Sequence, residues 1–181
     1  MKRRALIASL LSAALTVSAI ASAALVSAGD EDVTFLAEGT AGMKINGKAS
    51  SLSAREHNGV LRITVPVGDL KTGIGLRDRH LRGYLKTDKN PNATLQIDRA
   101  KLKLPADGKE LRSSATGQFT IAGVTKPLKF TYKAKRTGSD YHVQALATVD
   151  IRDHDIEQPC WLRVCVEPDV KLKVKFKLRD K

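Results

Sequence analysis

The C-terminal segment of this 181-residue chain alternates apolar and lysine side chains without a break. Residues 170–178 read VKLKVKFKL. Successive side chains of a β-strand point to opposite faces, so this period predicts a strand with one face toward a core and one toward solvent. Such a strand extends roughly 30 Å, which suits a barrel wall. Its outward lysines also discourage edge-to-edge aggregation.

The same alternation predicts further strands along the chain. It is clear at residues 61–65 and 95–98, and weaker at 119–121, 128–132 and 143–149. Turn-forming residues lie between these segments, at 46–47 (NG), 58–59 (NG), 107–108 (DG) and 138–140 (GSD). The spacing predicts an all-β fold of about eight antiparallel strands closed into a barrel, with a β-sandwich as the alternative.

One short helix interrupts the strands. On a helix that begins near Thr72, Ile74, Leu81 and Leu85 form one apolar stripe, and this stripe would face the barrel. Two charged residues, Arg77 and Asp78, would then border the buried side. They are interpreted either as groups at the polar end of a ligand or as an ion pair that anchors the helix.

The N-terminus resembles a cleavable leader. Three basic residues follow Met1, then an Ala/Leu/Ser-rich run, and Val26-Ser27-Ala28 has the small residues that a signal peptidase requires. We therefore expect a signal peptide over residues 1–28 and one domain over 29–181. Residues 19–21 (AIA) and 21–23 (ASA) are competing sites, and a retained membrane anchor is the alternative. Export would place the protein in the periplasm or outside the cell.

The charge of the chain favours anionic partners. The leader holds three of the 31 Lys and Arg and none of the 19 acids, so the mature charge is 28 minus 19, or +9. An anionic membrane surface fits this charge, whereas nucleic acid does not, because the lysines lack interleaved exposed aromatic residues. The alternative is that the charge only solubilises the surface. The oligomeric state stays open, a homodimer included.

Three motifs occur in order along the chain. They are residues 72–81 (TGIGLRDRHL), 91–95 (PNATL) and 117–127 (GQFTIAGVTKP). In sequence and spacing they resemble the YceI-like family of secreted, lipocalin-shaped proteins. This resemblance implies a lipocalin-like β-barrel that holds a long-chain amphiphile, such as a polyisoprenoid, quinone or fatty amide, and has no known enzymatic chemistry. His80 matches the histidine of the family motif.

A ligand of this kind would need an apolar lining and a polar contact for its head group. The candidates for the head group are Arg77, Asp78, His80 and Tyr84 near the helix. The candidates for the lining are the inward residues of the clearest strands, which are also candidates for a filled core: Leu61, Ile63, Val65, Leu95, Ile97, Val170, Leu172, Val174 and Phe176.

Other chemistry has little support in the sequence. The histidines lack the spacing of metal ligands, and the best acidic cluster, around His154, is also typical of a turn between strands, so no metal or cofactor is expected. No nucleophile motif of a hydrolase occurs, so we expect no enzyme activity. Cys160 and Cys165 would form a disulfide only if the chain turns after Pro159; two thiols or an intermolecular bond are the alternatives.

Two functions remain. The first is a periplasmic or secreted protein that holds or carries a long-chain lipid inside a barrel, with the tail inside and the polar end near the helix. The second is an envelope or stress protein with a filled core, which would bind an anionic polymer or partner through the lysines of residues 171–177.

Overall fold

We describe the protein from a computed structural model, in which residues 23–161 and 163–181 are described. Most of the expected leader, residues 1–22, lies outside this range. Within the described residues no helix has both the length and the apolar character needed to cross a bilayer.

The described chain is almost entirely strand. The strands are β1 (Leu25–Ser27), β2 (Asp32–Gly39), β3 (Lys44–Ala49), β4 (Ser53–His57), β5 (Val60–Pro66), β6 (Asn92–Asp98), β7 (Glu110–Ile121), β8 (Val124–Thr137), β9 (Asp140–Asp150), β10 (Cys160–Trp161) and β11 (Val164–Asp180). One α-helix, α1 (Gly75–Tyr84), lies between β5 and β6, and short 3-10 turns occupy Thr40–Gly42, Arg99–Lys101 and Ile151–His154.

These strands close into an eight-stranded antiparallel barrel with one helix. Each of the strands β5 to β9 pairs with the strand that precedes it in the sequence, and β11 pairs with β9 on one side. On its other side β11 pairs with β2 through Val166 to Lys175 and with β1 through Leu178 to Asp180. Because β1 and β2 both pair with β11, they occupy one position in the barrel wall. β3 and β4 occupy the next position, since β3 pairs with β2 and β4 pairs with β1. The predicted barrel is confirmed, and the sandwich alternative is wrong.

The turns follow the sequence signals with one exception. Asn58 and Gly59 both have positive φ, of 49° and 73°, as a two-residue type I′ hairpin turn requires. Asn46 and Gly47, in contrast, lie inside β3, so the turn predicted there is wrong. Gly47 pairs with Phe35 of β2, and a Cβ at Gly47 would clash with the Phe35 ring. The glycine gives that ring room.

The position of α1 differs in part from the prediction. Leu81 and Leu85 pack on the barrel core, as expected. Ile74 precedes the helix and is 49% exposed, so its predicted place on the buried stripe is wrong. Asp78 is 6% exposed, yet its carboxylate forms no ion pair with any cation of residues 23–161 and 163–181. Its Oδ1 accepts hydrogen bonds from the Thr72 hydroxyl and backbone N–H, both at 2.7 Å, which fixes the loop that leads into the helix.

Candidate ligand cavity

The barrel encloses a cavity of about 1260 Å³, which is larger than the usual site for a drug-sized ligand. Its wall is mainly apolar, because the inward positions of the strands carry aliphatic and aromatic side chains. All nine residues predicted as lining lie on this wall, from Leu61 on β5 to Phe176 on β11. The barrel is therefore not filled by its own side chains.

Further lining residues escaped the sequence prediction. The aromatic ones come from β2, β7 and β8, where the alternation is weaker, and they are Phe35, Phe119, Phe130 and Tyr132. Phe130 and Tyr132 lie on the apolar face of the weaker alternation at residues 128–132, so the same two-residue rule could have identified them. Nothing in the local pattern points to Ile151 and Ile156, which enter the wall from the segment between β9 and β10.

The mouth of the cavity lies between α1 and residues 155–160. Lining residues that are also exposed concentrate on these two segments. Arg79, His80 and Lys86 belong to the helix side, and Asp155 and Glu157 to the opposite side. The Lys86 ammonium donates to the Asp155 carbonyl oxygen at 3.5 Å. The mouth is thus basic on one side and acidic on the other, and one contact spans it.

The four residues predicted near a head group divide into two groups. Arg77, His80 and Tyr84 line the cavity close to the mouth. Asp78 does not, because its carboxylate is held by Thr72. The hydrogen bond from the Thr72 hydroxyl, followed by that from its backbone N–H, keeps the pKa of Asp78 below its ordinary value. Asp78 therefore supports the helix rather than facing a ligand.

The opposite end of the barrel is closed. A buried cluster there unites β1, β4, β5, β9 and β11, and its members are Leu25, Leu52, Ala54, Leu61, Tyr141, Phe176 and Leu178. Leu102 and Leu104, from the segment after β6, pack against the same cluster. The Tyr132 hydroxyl fixes this segment, since it accepts from Lys103 N–H at 2.8 Å and donates to the Lys103 carbonyl at 2.9 Å. The exposed part of the cavity lining therefore lies at the α1 end of the barrel.

A disulfide joins Cys160 and Cys165 beside the mouth. β10 turns back onto β11, so the two cysteines are cross-strand partners with Cα atoms 4.1 Å apart. This is the turn after Pro159 that a bridge requires. Cys160 itself lines the cavity, and the Cys165 N–H donates to the Thr40 hydroxyl at 3.1 Å. The bridge thus stiffens one side of the mouth.

The outward lysines of β11 are largely paired with acidic residues of the N-terminal segment. Lys171 binds Glu38, Lys175 approaches Asp32 at 4.0 Å, and Lys177 binds Asp30. The Lys171 ammonium lowers the pKa of Glu38, first by a hydrogen bond and then by its charge. Three of the four lysines are thus neutralised by neighbours. This face therefore offers less unpaired positive charge than its four lysines alone would give.

Two members of the acidic cluster around His154, Asp150 and His154 itself, are held by protein contacts. Asp150 accepts from the Arg152 guanidinium, whose hydrogen bonds lower the pKa of that carboxyl. His154 is buried, and its Nδ1–H donates to the Val124 carbonyl at 3.0 Å while its ring meets Phe119 edge-on. Across residues 23–161 and 163–181, no three His, Cys, Asp or Glu side chains gather as metal ligands do.

The closed eight-stranded antiparallel barrel with one helix places this protein in the class of lipocalin-shaped barrels. The chain belongs to the YceI-like family, whose domain model matches residues 26–178. Among curated proteins it is 32% identical over 104 residues to a UPF0312 protein of Pectobacterium carotovorum, covering 53% of this chain and 51% of the relative. It is 35% identical over 80 residues to a UPF0312 protein of Pseudomonas aeruginosa, covering 43% and 38%. The chain thus spans about half the length or less of these relatives.

Solved structures share the fold. A polyisoprenoid binding domain from Saccharophagus degradans superposes with a TM-score of 0.72 at 15% identity, covering 88% of this chain and 99% of that one. BcnA of Burkholderia cenocepacia gives 0.65 at 15% identity, covering 81% and 95%. At identities this low, the similarity shows that the chains share the barrel fold.

Proposed function

We propose that this protein binds a long-chain amphiphilic lipid inside its barrel, with the hydrocarbon in the cavity and the polar end at the mouth. The observation that carries this proposal is the enclosed apolar cavity of about 1260 Å³. Burying hydrocarbon contributes about 0.8 kcal/mol per methylene, so ten methylenes supply about 8 kcal/mol before the ordering of the chain is subtracted. This is enough for binding without any catalytic group.

An isoprenoid, such as a polyisoprenoid or an isoprenoid quinone, is the preferred ligand, with a fatty amide as a further candidate. The support is the similarity in fold to the polyisoprenoid binding domain of Saccharophagus degradans. The polar end would meet Arg77, His80 and Tyr84, which line the cavity near its mouth. We propose a binding function rather than an enzymatic one, without a cofactor and without nucleic acid as partner.

We propose that the protein works in the periplasm or outside the cell. The basic, apolar and small-residue pattern of the N-terminus supports export, and the disulfide between Cys160 and Cys165 fits an oxidising compartment. There it would exchange its cargo with an anionic membrane. Ile74 and Leu76, which are 49% and 60% exposed, lie just before and at the start of α1, and Lys71 and Arg79 are exposed nearby. This combination suits insertion between anionic head groups.

Native mass spectrometry of the mature protein from the envelope of its own cells tests the lipid proposal. We expect one adduct per chain that solvent extraction identifies as a long-chain lipid. A folded protein with a bare mass, together with no saturable uptake of a fluorescent geranylgeranyl probe, would overturn it. The surface-binding alternative predicts instead that changing the four lysines of residues 171–177 to Gln abolishes binding of the anionic partner and leaves lipid binding intact. The ion pairs of β11 argue against this alternative.

A further inference from the structure

The first described strand, β1, is part of the barrel wall although it lies inside the expected leader. Leu25, Val26 and Ser27 pair in register with Asp180, Arg179 and Leu178 of β11. Backbone hydrogen bonds extend this pairing at both ends, from Ala28 N–H to the Lys177 carbonyl and from Lys181 N–H to the Ala24 carbonyl, each at 2.9 Å. Because Val26 also pairs with Arg55 of β4, β1 is the strand that joins β4 to β11 at this end.

The barrel interior buries one side chain of β1, that of Leu25. Leu25 is 0% exposed and belongs to the buried cluster at the closed end, against Leu61, Phe176 and Leu178. These three partners also line the cavity. Without Leu25 they would be uncovered on their outer side, and the cavity would gain a second opening opposite α1.

A buried carboxylate depends on β1 as well. The Glu56 side chain is 8% exposed, and its Oε2 accepts from the Leu25 N–H at 3.1 Å and lies 3.6 Å from the Arg99 guanidinium. Removing β1 would take away this backbone donor and leave the carboxylate with its 3.6 Å contact to Arg99. A buried charge that loses a hydrogen bond is strongly destabilising.

We propose that the leader is cleaved upstream of β1, at residues 19–21 or 21–23, and that the mature chain retains β1. The ASA sequence at residues 21–23 has small residues at both positions that a signal peptidase reads, and Ala24 would then be the first residue of the mature chain. Val26-Ser27-Ala28 fits the same rule, but a cut there would discard the strand that closes the barrel. The YceI-like match also begins at residue 26, within β1.

The test is the N-terminal sequence and intact mass of mature protein recovered from cells that export the full precursor. We expect a chain that starts at Ala24 or Ser22. A start at Gly29, which is five residues shorter than a start at Ala24, would overturn the proposal. An uncleaved chain that still carries Met1 would overturn it too.

A second measurement uses exported Leu25→Ala, with Val26→Ala as its matched neighbour on the less buried side of β1. If β1 is retained, the mature Leu25→Ala protein is lighter than wild type and its Tm is lower by about 10 °C, while Val26→Ala is affected much less. If the downstream site is used, both variants yield a mature protein of wild-type mass and Tm. That result would overturn the proposal even if the N-terminus were chemically blocked.

Discussion

Ala147 offers a direct test of whether the cavity is the binding site. It lies on β9 between Phe130 of β8 and Leu172 of β11, and all three line the cavity. Ala147→Phe would project a phenyl ring into the lumen and displace about four methylenes of a bound hydrocarbon. At about 0.8 kcal/mol each this is about 3 kcal/mol, which weakens binding about a hundredfold.

The assay is titration with a fluorescent geranylgeranyl probe, with folding checked by circular dichroism and Tm. Thr148→Phe is the matched control, because Thr148 is the next residue of β9 and is exposed, so probe affinity should be unchanged. The Tm tests whether the lumen has room for the added ring. A ring added to a filled core would overpack it and destabilise the protein by about 1–3 kcal/mol, whereas a lumen with room accepts the ring. Wild-type affinity in folded Ala147→Phe would refute the reasoning.

Three further predictions concern the mouth and its supports. Asp78→Asn should lower the Tm at neutral pH and make the Tm less sensitive to acid. A carboxyl whose pKa is lowered in the folded protein stabilises the fold above about pH 4, and this stabilisation is lost as the pH falls through the folded-state pKa. A dependence of Tm on pH equal to that of the wild type would contradict this prediction. The double variant Ile74→Ser, Leu76→Ser should co-sediment several-fold less with phosphatidylglycerol vesicles than the wild type, and it should bind the geranylgeranyl probe in detergent as the wild type does. Co-sedimentation equal to that of the wild type would argue against membrane insertion at this site. Cys160→Ser with Cys165→Ser should cost about 2 kcal/mol, or about 5 °C in Tm, in thermal unfolding without reductant, and a Tm equal to wild type would show that the bridge adds nothing.

The strands and their inner faces could be read from the sequence because one physical rule governs them. In residues 170–178 the two-residue period separates core from solvent so cleanly that Val174 and Phe176 are placed on the lumen by pattern alone. The same rule could not tell whether the lumen is open, because inward aliphatic residues serve a filled core equally well. That distinction depends on the radius of the closed barrel, which no single strand encodes.

Other features depend on partners that are distant in the chain. The Asn46-Gly47 pair is a strong local turn signal, but here the glycine serves the Phe35 ring across the strand pair. The sequence predicts Asp78 at a buried boundary, and the structure has it there, with the preceding loop rather than a cation as its partner. Leu25 is the clearest case. Its segment reads as a processing site, and only the pairing with Leu178 to Asp180 reveals a strand.

The pairing of the first strand with the last residues has a consequence for how this protein would reach its compartment. Residue 25 pairs with residue 180, so the barrel cannot close until nearly the entire chain is available. Contacts this far apart in sequence form slowly, because a long loop must be ordered before they contribute. A chain threaded through a translocation channel would therefore stay extended while it crosses, and it would acquire its lumen only after its C-terminus emerges on the far side. If the protein binds a lipid as proposed, the lipid could enter the barrel only after export is complete.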